Sequence, residues 1–175
     1  EEKKYSSILS NLRADHEKEI KSDSLSFIEL QKLLSRYGII QKEIGGEVTL
    51  ELWGTGTPRR EFLHCDDLAD SCLFAMNNID FKQLAKGIKG EIKNTHINIG
   101  SGEDISINEL ALQIKKNIGF KGILQFNSGK PDGMMLKKMD SSKINSFGWF
   151  PKINFQQGLS RSCEEYCTNN FLLNL

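Results

Sequence analysis

The chain has 175 residues, 38% hydrophobic and 26% charged, with 23 basic and 23 acidic side chains and a formal net charge of zero. That length suits the core of one globular domain, or of part of a larger one. No run of about 18 apolar residues is present to span a membrane, and basic and acidic side chains are interspersed rather than gathered into the stripe expected of a nucleic-acid binder.

The sequence opens at Glu1 without Met and has no charged region leading into an apolar stretch and cleavage site, which predicts a piece of a longer cytoplasmic protein. Residues 1 to 46 read as helical. Tyr5, Ile8, Leu9 and Leu12 fall on one helical stripe. Ser26-x-x-Glu29 is a capping box with Leu25 placed to staple against Leu30, and a second helix carries Phe27, Leu30, Leu33 and Leu34 inward before Gly38.

From Val48 the period becomes two, with Val48, Leu50 and Leu52 on one face of a strand and Thr49, Glu51 and Trp53 on the other. Gly54 to Pro58 breaks the strand, and Arg59 to His64 resumes extended structure. Asp66 or Asp67 is placed to cap a helix whose apolar face uses Leu68, Cys72, Ala75 and Ile79. After a Lys-rich connection comes a short strand, His96 to Ile99, then Gly100-Ser101-Gly102 and a second capping box, Ser106-x-x-Glu109. The helix it opens carries Ile107, Leu110, Ala111, Ile114 and Ile118 and ends at Gly119. Residues 122 to 127 read as a strand, Lys130 to Gly133 as a turn, and a last helix starts near Gln156. Strands alternating with helices predict an α/β fold.

Four cysteines (Cys65, Cys72, Cys163, Cys167) and three histidines (His16, His64, His96) lack zinc-site spacing, so no metal site is predicted. Cys163 and Cys167 sit at helical spacing and read as small core residues. Gly100-x-Gly102 follows a strand, but the third position of a dinucleotide fingerprint is Ile105, so no cofactor site is assigned to this chain. None of Tyr5, Tyr37 and Tyr166 is followed four residues later by Lys. A P-loop and a nucleophile elbow are also missing from the sequence, and no residue is assigned a catalytic role.

Two segments could bind a ligand. In Trp53 to Phe62, glycines permit close approach and Arg59 and Arg60 offer planar forks for phosphate oxygens, only one of them toward a given side of an extended segment. The other is Lys130-Pro131-Asp132-Gly133 with Lys137 and Lys138, either a surface turn or a contact for sugar hydroxyls and a phosphate.

The stretch WGTGTPRREFLHCDD, Trp53 through Asp67, resembles the GDP-L-fucose synthase family of extended short-chain dehydrogenase/reductases. Three further segments follow in the same order: His96 to Asp104, Lys130 to Gly133, and Phe147 to Lys152. The resemblance implies the C-terminal, substrate-binding part of a Rossmann-like parent whose N-terminal half binds NADP(H) and carries the catalytic Tyr and Lys. It divides the chain into a helical connection, 1–46, and a substrate-binding domain, 47–175, that lends a strand at about 96–100 to the Rossmann sheet. The implied function is NADPH-dependent epimerisation and reduction of GDP-4-keto-6-deoxy-D-mannose to GDP-L-fucose by a homodimer, with no activity in this chain alone. Carried over by position, Arg60 grips the diphosphate, Trp53 lies beside the nucleotide sugar, and Asp132 and Lys137 line the substrate site. The chain has Met134-Met135-Leu136-Lys137 where the family usually has Thr-Pro-Arg-Lys, which leaves room for a GDP-heptose or another GDP-4-keto sugar. A non-catalytic nucleotide-sugar binding module is the alternative of a different class.

Overall fold

The computed structural model describes residues 26–172 except 42, 44 and 88. The expected first helix around Tyr5 to Leu12 and the Leu25 staple lie outside the described residues. Helix α1, Phe27–Ser35, starts at the predicted capping box: the Glu29 carboxylate accepts from the Ser26 backbone N–H at 2.9 Å, and Glu29 N–H is directed to Ser26 Oγ. Leu30 is its buried anchor. Gly38 turns the chain at φ +76°.

The reading of residues 1 to 46 as wholly helical needs correction, because Ile39–Gln41 forms a strand, β1. It pairs antiparallel with β2, Val48–Trp53, with Ile39 opposite Leu50. Three residues carry too little periodicity to be recognised alone; the alternating surface of β2 supplies the register. Strand β5, Ile123–Asn127, adds to the other side of β2 in parallel, so the sheet runs β1-β2-β5.

A second sheet is built on β3, Arg59–Glu61. It pairs antiparallel with β4, Asp104–Ser106, and parallel with β6, Leu136–Lys137, in the order β4-β3-β6. Between β3 and β4 lie helix α2, Cys65–Asn78, and the short α3, Phe81–Leu84. Helix α4, Ile107–Asn117, opens at the second predicted capping box, with Ser106 and Glu109 exchanging bonds. Its Ala111, Ile114 and Ile118 face Val48, Leu50, Leu52 and Leu124 of the first sheet across an apolar space of about 290 Å³. Helix α5, Ser142–Ser146, and helix α6, Phe155–Leu172, complete the chain. The α/β class is as the sequence predicts.

Helix α2 departs from its expected face. Asp67 is 2% exposed and Ser71 fully buried, whereas Leu68, Leu73 and Met76 are 47%, 60% and 81% exposed and Cys72 is exposed. The cause is polar: Asp67 accepts from the backbone N–H groups of Lys152 and Ile153, and Asp70 accepts from Trp149 Nε1 at 2.8 Å and Lys152 Nζ at 2.9 Å. Two carboxylates three residues apart share a helix face, and this pair draws that face onto the Trp149 to Ile153 turn. Residues 93–100, read as containing a strand at His96 to Ile99, have no ladder pairing among the described residues. Two of their carbonyls, those of Asn94 and His96, accept instead from Lys143 Nζ at 2.7 and 2.8 Å.

Candidate functional site

Strands β2 and β5 run parallel, and their last residues, Trp53 and Asn127, are paired in register. Ligands of open α/β sheets bind at such carboxyl ends. Both chains turn there on one group, because the Asn127 carbonyl accepts from Gly54 N–H and from Lys130 N–H, each at 3.0 Å. The Lys130 ammonium lies 5.2 Å from the centroid of the Trp53 ring, a cation–π distance. Trp53 is 68% exposed, so its other face is open.

Asp132 ties the turn to the strand end. One carboxylate oxygen accepts from Thr55 N–H at 2.6 Å and the other from Thr55 Oγ1 at 2.8 Å. The approach leaves no room for a side chain at Gly54, whose Cβ would collide with the Asp132 carboxylate and whose φ is +82°. Asp132 therefore stands at the site with its carboxylate engaged by Thr55.

Arg60 and Lys137 are register partners in the parallel β3–β6 pair, which puts their side chains on the same face of the sheet. The Arg60 guanidinium reaches toward Gly133, 3.9 Å from the position a Cβ would take there, and donates to the Arg59 carbonyl at 2.7 Å. No carboxylate pairs with it among the described residues. Arg59 differs: it donates to a side-chain oxygen and the backbone carbonyl of Asp104 and lies 3.7 Å from Glu109. Of the two arginines, only Arg59 takes part in an ion-pair network among the described residues. Structure brings Trp53 and Asp132 together through the Gly54–Asp132 approach, and Arg60 beside Lys137, with Gly133 joining the two groups.

Sequence reasoning missed Glu61, Thr55, Asp67 and Asp70. The spacing of Asp67 and Asp70 on one helix was a usable signal; Glu61 gave none, because both its partners are remote in sequence. Helix α2 is capped by His64 rather than by Asp66 or Asp67: His64 Nδ1 accepts from Asp66 N–H at 3.2 Å. The His64, Cys65 and Asp66 donor atoms lie within 4.8 Å of one another, but this bond occupies Nδ1, and the cluster is accounted for as a helix cap. His64 thus sits at the helix start as its N-cap, with Cys65 the first helical residue.

The Gly100–Gly102 loop does not have the form of a dinucleotide-binding turn. Gly102 N–H is taken by Glu61, β4 intervenes between the glycines and α4, and the first turn of α4 is capped by its own Ser106 and Glu109. Among the described residues no helix is long and apolar enough to cross a membrane.

Several carboxyls are held below their ordinary range: Asp104 chiefly by its bond from Arg59, Glu109 by Ser106, and Asp70 by Lys152 and then Trp149. A carboxylate with a depressed folded pKa stabilises the fold above its unfolded pKa, near ~4, and that contribution is lost as pH falls through the folded value. Melting temperature should therefore be flat with respect to these groups from about pH 5 to 8 and fall below about pH 4. A decline beginning near neutrality would contradict this assignment.

Residues 30–100 match the model of the NAD dependent epimerase/dehydratase family. GDP-L-fucose synthase 1 of Arabidopsis thaliana is 42% identical over 129 residues, 74% of this chain and 36% of the relative. A GDP-6-OMe-4-keto-L-xylo-heptose reductase from Campylobacter jejuni superposes with a TM-score of 0.73 at 43% identity, covering 94% of this chain and 44% of that one. A GDP-D-glycero-L-gluco-heptose synthase from the same organism gives 0.71 and 42%, covering 91% and 42%. The chain thus spans about a third of the length of the curated relative, 36%. The family match over residues 30–100, the shared fold and identity above 40% make the chain similar to members of the NAD dependent epimerase/dehydratase family, GDP-L-fucose synthase among them.

Proposed function

We propose that the chain is the C-terminal, substrate-binding part of an NADPH-dependent GDP-sugar epimerase/reductase that makes GDP-L-fucose from GDP-4-keto-6-deoxy-D-mannose. The observation that carries the reading is the pairing of Arg60 with Lys137 beside Gly133, next to the Trp53 and Lys130 pair. Adjacent cations suit the two phosphates of a nucleoside diphosphate, and the open ring face of Trp53 suits stacking on the nucleotide sugar. Asp132 holds the loop that presents Trp53.

NADP(H) and the catalytic Tyr and Lys are assigned to the N-terminal part. The outward apolar face of α2, with Leu68, Leu73 and Met76, supports a larger protein in which that surface is covered; that the whole is a cytoplasmic homodimer is part of the same proposal. The 175 residues alone should not turn over substrate.

A second reading, a GDP-heptose reductase, is favoured by two observations. The two Campylobacter jejuni structures superpose over 91% and 94% of the chain at 42% and 43% identity. Met134 and Met135, 66% and 55% exposed, also put apolar surface where the resembled family usually has Thr and Pro.

The test is NADPH consumption by the full-length protein with GDP-4-keto-6-deoxy-D-mannose, the product being identified by NMR. GDP-L-fucose is the expected product. Turnover confined to a GDP-4-keto-heptose would select the second reading, and turnover of neither would overturn both.

A further inference from the structure

Glu61 follows Arg60 on β3, the central strand of the second sheet. One of its carboxylate oxygens accepts from Gly102 N–H at 2.7 Å, just before β4, and the other accepts from Met139 N–H at 2.7 Å, just after β6. A single side chain on the central strand thus fastens both of its neighbours. The fit is tight, because a Cβ at Gly100 would come within 2.5 Å of the same carboxylate.

The β6 side needs such a fastening. Strand β6 has two residues, and its register with β3 consists of Arg59 opposite Leu136 and Arg60 opposite Lys137. So short a ladder specifies its register weakly, and a slip of one residue moves Lys137 to the other face. Glu61 follows Arg60 directly, and neighbours on a strand point to opposite faces. Its carboxylate therefore acts from behind the cations.

We propose that Glu61 is a positioning residue: by holding Met139 it fixes β6 in register and sets Lys137 beside Arg60, raising affinity for a diphosphate that it does not touch. The inference rests on the reading of Arg60 and Lys137 as diphosphate contacts, and it adds the group that makes them act together.

The test is a double-mutant cycle on GDP affinity, measured by calorimetry with the full-length protein. Glu61→Ala and Lys137→Ala should each weaken GDP about tenfold, the loss of one charge-assisted contact. The double variant should be no more than about twofold weaker than Lys137→Ala, because a displaced Lys137 and a missing one are equivalent. Glu61→Gln keeps the volume but only one acceptor oxygen, so it should fold and lose about threefold. The drop in melting temperature from Glu61→Ala should be the same with or without Lys137, which separates positioning from general weakening. If Lys137→Ala weakens GDP while both Glu61 variants bind normally, or if the two losses multiply to about 100-fold, the positioning role is overturned. If the parent fails to bind GDP, or Lys137→Ala leaves affinity unchanged, the underlying reading falls and the inference falls with it.

Discussion

Replacing Asp67 by alanine is expected to lower the unfolding free energy by about 3 kcal/mol, because two part-buried backbone donors lose a buried acceptor at ~1–3 kcal/mol each. Asp67 is 2% exposed and receives Lys152 N–H at 3.1 Å and Ile153 N–H at 2.9 Å. Water cannot replace the carboxylate without opening the contact between α2 and the turn that follows Trp149, a residue only 3% exposed. Asp67 also occupies the first turn of α2, where the helix dipole favours a negative charge. Asp67→Asn should cost less, about 1–2 kcal/mol, since one oxygen still accepts. Urea unfolding of both variants measures this, and a loss below about 1 kcal/mol for the alanine variant would show that the turn is held by other contacts.

The second large effect is on binding. Arg60→Ala should weaken GDP about 10- to 100-fold, corresponding to the ~1.5–3 kcal/mol of a charge-assisted contact to phosphate. The guanidinium has no carboxylate partner among the described residues, so a ligand phosphate need not displace an existing ion pair. Arg59 is spent on Asp104, and that bond ties β3 to β4. Its removal should appear in stability rather than in affinity.

What was legible in the sequence follows a physical division. Helices α1 and α4 announced themselves through Ser-x-x-Glu boxes, whose two bonds are local, and β2 through strict alternation. Strands β1, β4 and β6 have two or three residues and exist because a strand distant in sequence lies beside them; no window of their own sequence contains that cause. The candidate site divides in the same way. Trp53, Arg60, Asp132 and Lys137 came from the family resemblance, carried over by position. The groups that hold the site did not, since Glu61 meets partners 41 and 78 positions away and Asp67 meets one 85 away. Helix α2 shows how one such contact reverses a pattern, because the buried Asp67 carboxylate faces the Trp149 to Ile153 turn while Leu68 and Cys72, which periodicity had put inward, are exposed.

The central claim is that the paired cations on β3 and β6 grip a nucleoside diphosphate, and calorimetric titration of GDP into wild type, Arg60→Ala and Arg59→Ala tests it most directly. The account predicts a loss of about 10- to 100-fold for Arg60→Ala and affinity within about threefold of wild type for a folded Arg59→Ala protein, less than a single contact is worth. Equal losses for the two variants, or unchanged affinity in Arg60→Ala, would contradict it.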